Sequence, residues 1–379
     1  MQISIVLLGV TGDLASRKII PSIAALSHNP SYQVQMIGVS RSNPDTEAIN
    51  QIIQEHRGMI ETDYVRGDYT DRDTLQEALD AASLSDVLIL YFAVPPHLFT
   101  DILKTTCTLD CEHSHIVVEK PFGKNITEAK ELITAARQCS LTPNVHFFDH
   151  YLFKQATYLS DSETKSLAHL QGTTPVRIEV RALEALGVSN RLAYYDAIGA
   201  TKDMWQHLYS LLSYYARTFK FDFDWSNFVV EDYVRGQYAG YADLVEGGSR
   251  TDTYFQVSGH SDGVDVVLES GKEIGFKETS IRATYADGTV LDWNIDPTQH
   301  LQVRSGVRTL HDIQFPATTR PDHTRLFQNI IDSEEGRFVS KKDILQAWEI
   351  HAQVQAHQSS LKVYPTGTLP QLSEETAVN

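Results

Sequence analysis

The sequence predicts two successive domains: an α/β domain over residues 1–150 built on a parallel sheet, and an α+β domain over 151–379 built on a large, mainly antiparallel sheet. Three observations predict this. The first 150 residues alternate short apolar runs with stretches of helical spacing, the βαβ pattern of a sheet buried on both faces. Beyond about residue 150, apolar and polar residues alternate between turn dipeptides such as Asp262-Gly263 and Asp287-Gly288, the pattern of hairpins. At 379 residues the chain also exceeds what one hydrophobic core ordinarily serves.

Taken in order, residues 3–8 form a continuous apolar run that ends in a glycine turn and leads into a helix over 15–26. Strands follow at 34–39, 87–94 and 115–118, then a helix over 127–139 whose Thr127 is placed to cap it, then a strand at 145–148. In the second part, strands are expected at 176–183, 253–258, 264–268, 280–285 and 289–295. Helices are expected near 199–215, 323–332 and 341–357, and the tail after Pro365 is polar and acidic.

Hydrophobic content of 42% and charged content of 21% are ordinary for a globular chain. No apolar run approaches the roughly 18 residues of a membrane span. The opening from Met1 to Gly9 lacks a basic start and a small-residue cleavage site, so it reads as a strand and not a signal peptide, which points to the cytoplasm. Cys107, Cys111 and Cys139 are odd in number and in no metal-ligand spacing; they fit a reducing compartment, argue against a disulfide framework or a metal site, and read as packing residues. A formal charge of −17 sets nucleic acid and anionic membranes aside as partners. An anionic small molecule would need a local cluster of Lys, Arg and His.

Gly9-Val-Thr11-Gly12-Asp13-Leu14 follows a buried strand and opens a helix, the setting in which backbone N–H groups approach a pyrophosphate; in isolation the same pattern is a tight turn. It makes the first domain a candidate Rossmann-type dinucleotide-binding domain. The second strand ends at Arg41, where an enzyme using NAD would place an acid for the ribose hydroxyl. A guanidinium there suits the 2′-phosphate of NADP, with a solvated strand-end Arg as the plainer alternative and NAD still possible. Ala93-Val-Pro95-Pro96 lies at the carboxyl edge of the fourth strand, either along the nicotinamide or as a strand terminator.

Glu119-Lys120-Pro121-Phe122-Gly123 closes another strand in that crevice, and a Lys held before a proline is directed enough to pin a sugar hydroxyl or to be a plain solvated Lys. Asp149-His150-Tyr151-x-x-Lys154 then packs an acid, an imidazole, a phenol and an ammonium into six positions.

These motifs resemble those of the glucose-6-phosphate dehydrogenase family. The likeness runs from Gly9 to about Tyr364 and continues through Arg191-x-x-Tyr194-Tyr195-Asp196-x-x-Gly199-Ala200-x-Lys202-Asp203-Met204-x-Gln206, Gly236-Gln237-Tyr238, Gly271-Lys272-xxxx-Lys277, Phe338-Val339 and Ala347-Trp348. The resemblance implies oxidation of a sugar 6-phosphate at C1 to a lactone by NADP, in a homodimer. It assigns the base to His207, its orienting acid to Asp149, and a sugar hydroxyl and the cofactor side to Lys120, with Glu119 beside it. It gives the phosphate to His150, Tyr151 and Lys154, other hydroxyls to Glu184 and Asp203, and a closing lysine pair to Lys272 and Lys277.

The match departs at the helix of the base. The family pattern reads Asp-Met-x-Gln-Asn-His-Leu, whereas here the run is Asp203-Met-Trp-Gln206-His207-Leu208, one residue shorter. One helical residue is a rotation of about 100°, so His207 either takes the Asn position and faces elsewhere, or the helix start has shifted to bring it back. The apolar spacing of Leu208, Leu211 and Leu212 favours His207 as the base. Phe153 replaces a glycine, which is expected to narrow or redirect the sugar pocket, and Phe147 replaces a basic residue near the phosphate motif. Asp203-x-x-x-His207 after a strand-end Glu-Lys-Pro also resembles sugar oxidoreductases that oxidise ring hydroxyls. A non-catalytic sensor of NADP or a sugar phosphate is the rival of another class.

Overall fold

The computed structural model describes residues 1–379 except 83–84, 110–113, 139–143, 189–190, 222, 317–320, 335, 358 and 371–379. The chain divides into two units, Met1–Phe153 with Thr318–Leu345, and Lys154–Ala317 with Gln346–Asn379. The first unit therefore takes back a stretch from the C-terminal third, which the sequence reading kept with the second domain.

In the first unit, strands β1 (Gln2–Leu8), β2 (Gln33–Ser40), β3 (Ile60–Arg66), β4 (Val87–Phe92), β5 (Ser114–Glu119) and β6 (Val145–Phe148) form one sheet in the order β3-β2-β1-β4-β5-β6. Every pairing is parallel. The order reverses between β1 and β4, so their carboxyl ends open the crevice in which such sheets bind ligands. β3 had no counterpart in the expected strands: Glu61 and Asp63 alternate along an edge that is half exposed, so no apolar run marks it.

The helix expected over 15–26 begins as a widened π turn, Ala15–Ile19, and becomes α1 at Ile20–Leu26. Pro21 stands at the junction, where it lacks the N–H that a regular turn needs. α2 (Thr46–Glu55) and α3 (Arg72–Ala81) start on the side-chain caps Asp45 and Asp71; α4 (Phe99–Thr106) and α5 (Ile126–Gln138) follow. Asn125, and not Thr127, caps α5, its side-chain oxygen accepting from the Glu128 N–H at 3.0 Å. Cys107 is disulfide-bonded, which corrects its reading as a reduced packing residue; Cys111 and Cys139 lie outside the described residues.

The second unit carries α6 (Asp161–Ser166), β7 (Arg177–Leu183), α7 (Leu192–Phe219), β8 (Val229–Tyr238), β9 (Tyr254–Ser261), β10 (Val264–Gly271), β11 (Glu278–Thr284), β12 (Thr289–Asp296), β13 (His300–Ser305), β14 (Arg308–Gln314) and β15 (Leu361–Tyr364). The strands form one sheet, β14-β13-β12-β11-β7-β10-β9-β8-β15. β7 pairs with β10 and β8 with β15 in parallel, and the other neighbours are antiparallel. The β9–β10 hairpin turns on Asp262 at φ 48° and Gly263 at φ 81°, the two left-handed positions of a type I′ turn. Apolar residues of β7, Ile178, Val180 and Ala182, face inward with those of α7, while Glu179 and Arg181 take the opposite face.

α8 (Asp322–Ile331) belongs to the first unit and buries His323, Leu326, Phe327 and Ile330, a helical i, i+3, i+4, i+7 stripe. It rests against α1, with the Thr324 hydroxyl donating to the Ser22 carbonyl at 3.1 Å. α9 (Lys341–Ala356) contains the division between the units. Among the described residues, no helix is long and apolar enough to cross a membrane.

Candidate active site

In the first unit, the turn after β1 is shaped by contact. Gly9 has φ 88°, and a Cβ there would stand 2.3 Å from the Ala93 carbonyl oxygen, so only glycine passes between the ends of β1 and β4. Its N–H donates to the Val39 carbonyl at 2.9 Å, and the Gly12 N–H donates to the Gly9 carbonyl at 2.9 Å. Thr11 and Asp13 are exposed beyond this cradle, Leu14 is half-buried, and Asp13 pairs with Arg17 at 3.3 Å. Pro95 is extended and exposed, and Pro96 opens the short turn before α4.

Arg41 leaves the end of β2 exposed, with its guanidinium carbon 5.7 Å from the centre of the Tyr69 ring. Sequence reasoning passed over Tyr69; its place beside Arg41 comes from β3 pairing with β2, a strand the apolar pattern does not reveal. A glycine cradle at the switch point and an exposed, ring-backed guanidinium at the next strand end are a donor set that fits a dinucleotide bearing a 2′-phosphate.

At the end of β5, the Glu119 carboxylate, expected on the cofactor side, is engaged inside the unit. It accepts a short hydrogen bond from the Tyr91 hydroxyl and lies 2.9 Å from His323 Nε2 on α8. Burial, then the neighbouring carboxylate, pushes the Tyr91 phenol well up, so it stays protonated and donates. Lys120 follows, half-buried. Asp149 is fully buried and accepts from the Tyr151 N–H at 3.0 Å, starting the single turn His150–Phe153. The rings of His150 and Tyr151 are 4.7 Å apart.

The two aromatic departures from the family pattern are buried. Phe153 is fully buried, 5.0 Å from Phe148 and 5.5 Å from Phe338 between ring centres, and Phe147 is buried edge-on to Phe122. Both fill the core of the first unit, which overturns the expectation that Phe153 narrows the sugar pocket.

In the second unit, α7 is broken at Gly199, at φ 73° and ψ 170°. A Cβ there would meet Asp252 Oδ1 at 2.6 Å. Asp252 accepts from the Ala200 N–H through its carbonyl and from the Thr201 N–H and hydroxyl through Oδ2, all at 2.7–2.8 Å, and pairs with Arg235 at 3.3 Å. The helix thus restarts at Ala200, and Asp203 and His207, both buried, fall four residues apart on one face.

The lysines gather through sheet register. Leu183 at the end of β7 pairs with Gly271 and Glu278, and Thr279 with Asp296, so Glu184, Lys272, Lys277 and Asp296 share one end of the sheet. Lys272 Nζ stands 2.5 Å from Glu184 and 5.6 Å from the centre of the Tyr195 ring. Burial, then Asp203, Asp252, Tyr364 and Glu184, raises the Tyr195 phenol well above its usual range. Asp296, not singled out in the sequence, pairs with Lys277 at 2.7 Å and with Lys154 at 3.5 Å. The structure thus joins Lys272 to Glu184 and Lys154 to Lys277.

A parallel, doubly wound sheet with a glycine cradle at its switch point stands in one chain with a large antiparallel sheet bearing clustered lysines and carboxylates, a two-part architecture of the Rossmann-type class. Residues 6–157 match the family model described as glucose-6-phosphate dehydrogenase, NAD binding domain. Over that stretch the chain resembles the glucose-6-phosphate dehydrogenase family. It is 27% identical over 325 residues to glucose-6-phosphate 1-dehydrogenase 1 of Mycobacterium tuberculosis, covering 73% of this chain and 68% of that one. It is 28% identical over 340 residues to the glucose-6-phosphate 1-dehydrogenase of Borreliella burgdorferi, covering 73% and 70%. In fold it is similar to the solved glucose-6-phosphate 1-dehydrogenase from Mycobacterium avium, with a TM-score of 0.77, 21% identity and 96% and 94% of the two chains covered. It is also similar to a 3-ketoreductase from Actinomadura kijaniata, at 0.61, 15% identity, 96% and 100%.

Proposed function

We propose that the protein oxidises glucose 6-phosphate, or a close sugar 6-phosphate such as an amino-sugar phosphate, at C1 to the lactone. The observation that carries this reading is the gathering of Lys154, Lys272 and Lys277 with Glu184 and Asp296 in the second unit, a local cation cluster in a chain of net charge −17. Gly9, Thr11, Gly12, Asp13, Leu14, Arg41, Ala93, Pro95 and Pro96 hold NADP, with NAD as a second possibility, and Glu119 fixes the strand end that bears Lys120. When bound, NADP supplies the oxidant.

His207 takes the proton of the C1 hydroxyl as general base, and Asp149 supports its charged form. Lys120, Glu184 and Asp203 take sugar hydroxyls. His150, Tyr151, Lys154 and Lys277 take the phosphate, and Lys272 completes the cationic side. The protein acts in the cytoplasm as a homodimer joined through the charged face of the nine-stranded sheet, where Arg282 and Arg304 pair with Asp292.

The test is turnover. Purified protein with NADP and glucose 6-phosphate is expected to build up the near-ultraviolet absorbance of reduced cofactor, and His207→Asn to abolish it while cofactor binding persists. A second reading, oxidation of a ring hydroxyl to a keto sugar, is favoured by the four-residue spacing of Asp203 and His207 on one unbroken helical segment. Product analysis separates the two, a lactone supporting the first and a keto sugar the second.

A further inference from the structure

Asp296 bridges the two lysines to which the proposed function gives the phosphate. Its Oδ2 lies 2.7 Å from Lys277 Nζ and 3.5 Å from Lys154 Nζ, so one carboxylate oxygen is shared by the two ammonium groups assigned to the sugar's phosphate. The carboxylate is mostly shielded, with 15% of its side chain exposed, as is Lys154 at 21%, whereas Lys277 is half in water at 51%. Such a pair is screened less than a surface pair, and its charges act on whatever enters between them.

We infer that Asp296 is a specificity-determining residue: an internal anion that competes with the substrate phosphate for Lys154 and Lys277 and lowers the weight of the phosphate in substrate choice. This rests on the sugar-phosphate reading above. A phosphate reaching these lysines must displace a carboxylate or bind beside it as a like charge, and either cancels part of the attraction the lysines supply. Lys272 carries its own carboxylate, Glu184, so it can compensate only by breaking that pair. The protein therefore accepts sugars whose anionic group is absent or singly charged more readily than a bare pair of lysines would allow.

The experiment uses the full chain. Isothermal titration with inorganic phosphate is compared for the native protein, Asp296→Asn, Asp296→Gln and Lys277→Met, alongside kcat/KM for glucose 6-phosphate and for glucose. Removing the carboxylate's charge is expected to tighten phosphate binding roughly tenfold and to raise the preference for glucose 6-phosphate over glucose by a similar factor; Lys277→Met is expected to weaken phosphate binding. Unchanged or weaker phosphate binding by both Asp296 variants, each shown to be folded by its melting profile, overturns the inference. If no sugar turns over, the sugar-phosphate reading fails, and the phosphate titration still decides the role of Asp296.

Discussion

Lys272 Nζ lies 2.5 Å from a Glu184 carboxylate oxygen, yet the two side chains meet water unequally, 2% of Lys272 being exposed against 33% of Glu184. The pair is a buried cation whose partner reaches it from the surface. Removing the partner strands the ammonium over the Tyr195 ring alone, whereas removing the ammonium leaves a carboxylate that water can solvate. Glu184→Ala is expected to cost about 2–3 kcal/mol in urea unfolding, and Lys272→Met less than half of that. Equal costs would count against this asymmetry.

The restart of α7 makes a second expectation. Gly199 combines a left-handed φ with a close approach to Asp252, so a methyl group there strains the backbone and displaces the cap of the next segment. Gly199→Ala is expected to lose roughly 3 kcal/mol and to lower kcat, because Asp203 and His207 take their phase from that restart. Asp252→Ala, which removes the cap and strands Arg235, is expected to behave alike. Denaturation curves and kcat for the two variants check it.

For the cofactor, Arg41→Ser is expected to weaken NADP binding by about ten- to a hundredfold, the worth of a charge-assisted bond to a phosphate, with NAD affinity unchanged. Tyr69→Leu, which removes the ring beneath the guanidinium, is expected to give a smaller shift of the same sign. Binding titrations with both nucleotides measure this, and an equal loss for NAD would remove Arg41 from the 2′-phosphate.

Acid stability depends on buried imidazoles. His351, packed between Trp205 and Trp348, is lowered to about 4 by burial, with Lys202 adding to the effect. Its ring is neutral in the folded state and binds a proton in the unfolded state once pH falls below about 6.5. Stability is therefore lost as pH falls from about 6.5 to 4, at about 1.4 kcal/mol per pH unit for this group. His146, lowered to about 3 by burial and by His115, acts in the same direction. His351→Leu is expected to flatten the fall of melting temperature over that range, and an unchanged slope would remove His351 from the account.

The first sheet was legible in the chain because its strands are buried on both faces, and continuous apolar runs such as β1 and β4 are the direct imprint of that burial. The glycine turn was legible for a related reason, since Gly9 answers a local need for a left-handed residue close to a neighbouring carbonyl. β3, β13 and β14 were not, because edge and outer strands carry charge on their open sides. Motif order carried the family resemblance, but three decisions belonged to the tertiary structure alone. α8 joined the first unit because its apolar stripe matched α1, Phe153 went into the core and not into a pocket, and Asp296 met Lys154 and Lys277. Each depends on residues far apart in the chain, brought together by strand register or helix packing, and no local spacing records which distant side chain a buried face or a stranded charge will find.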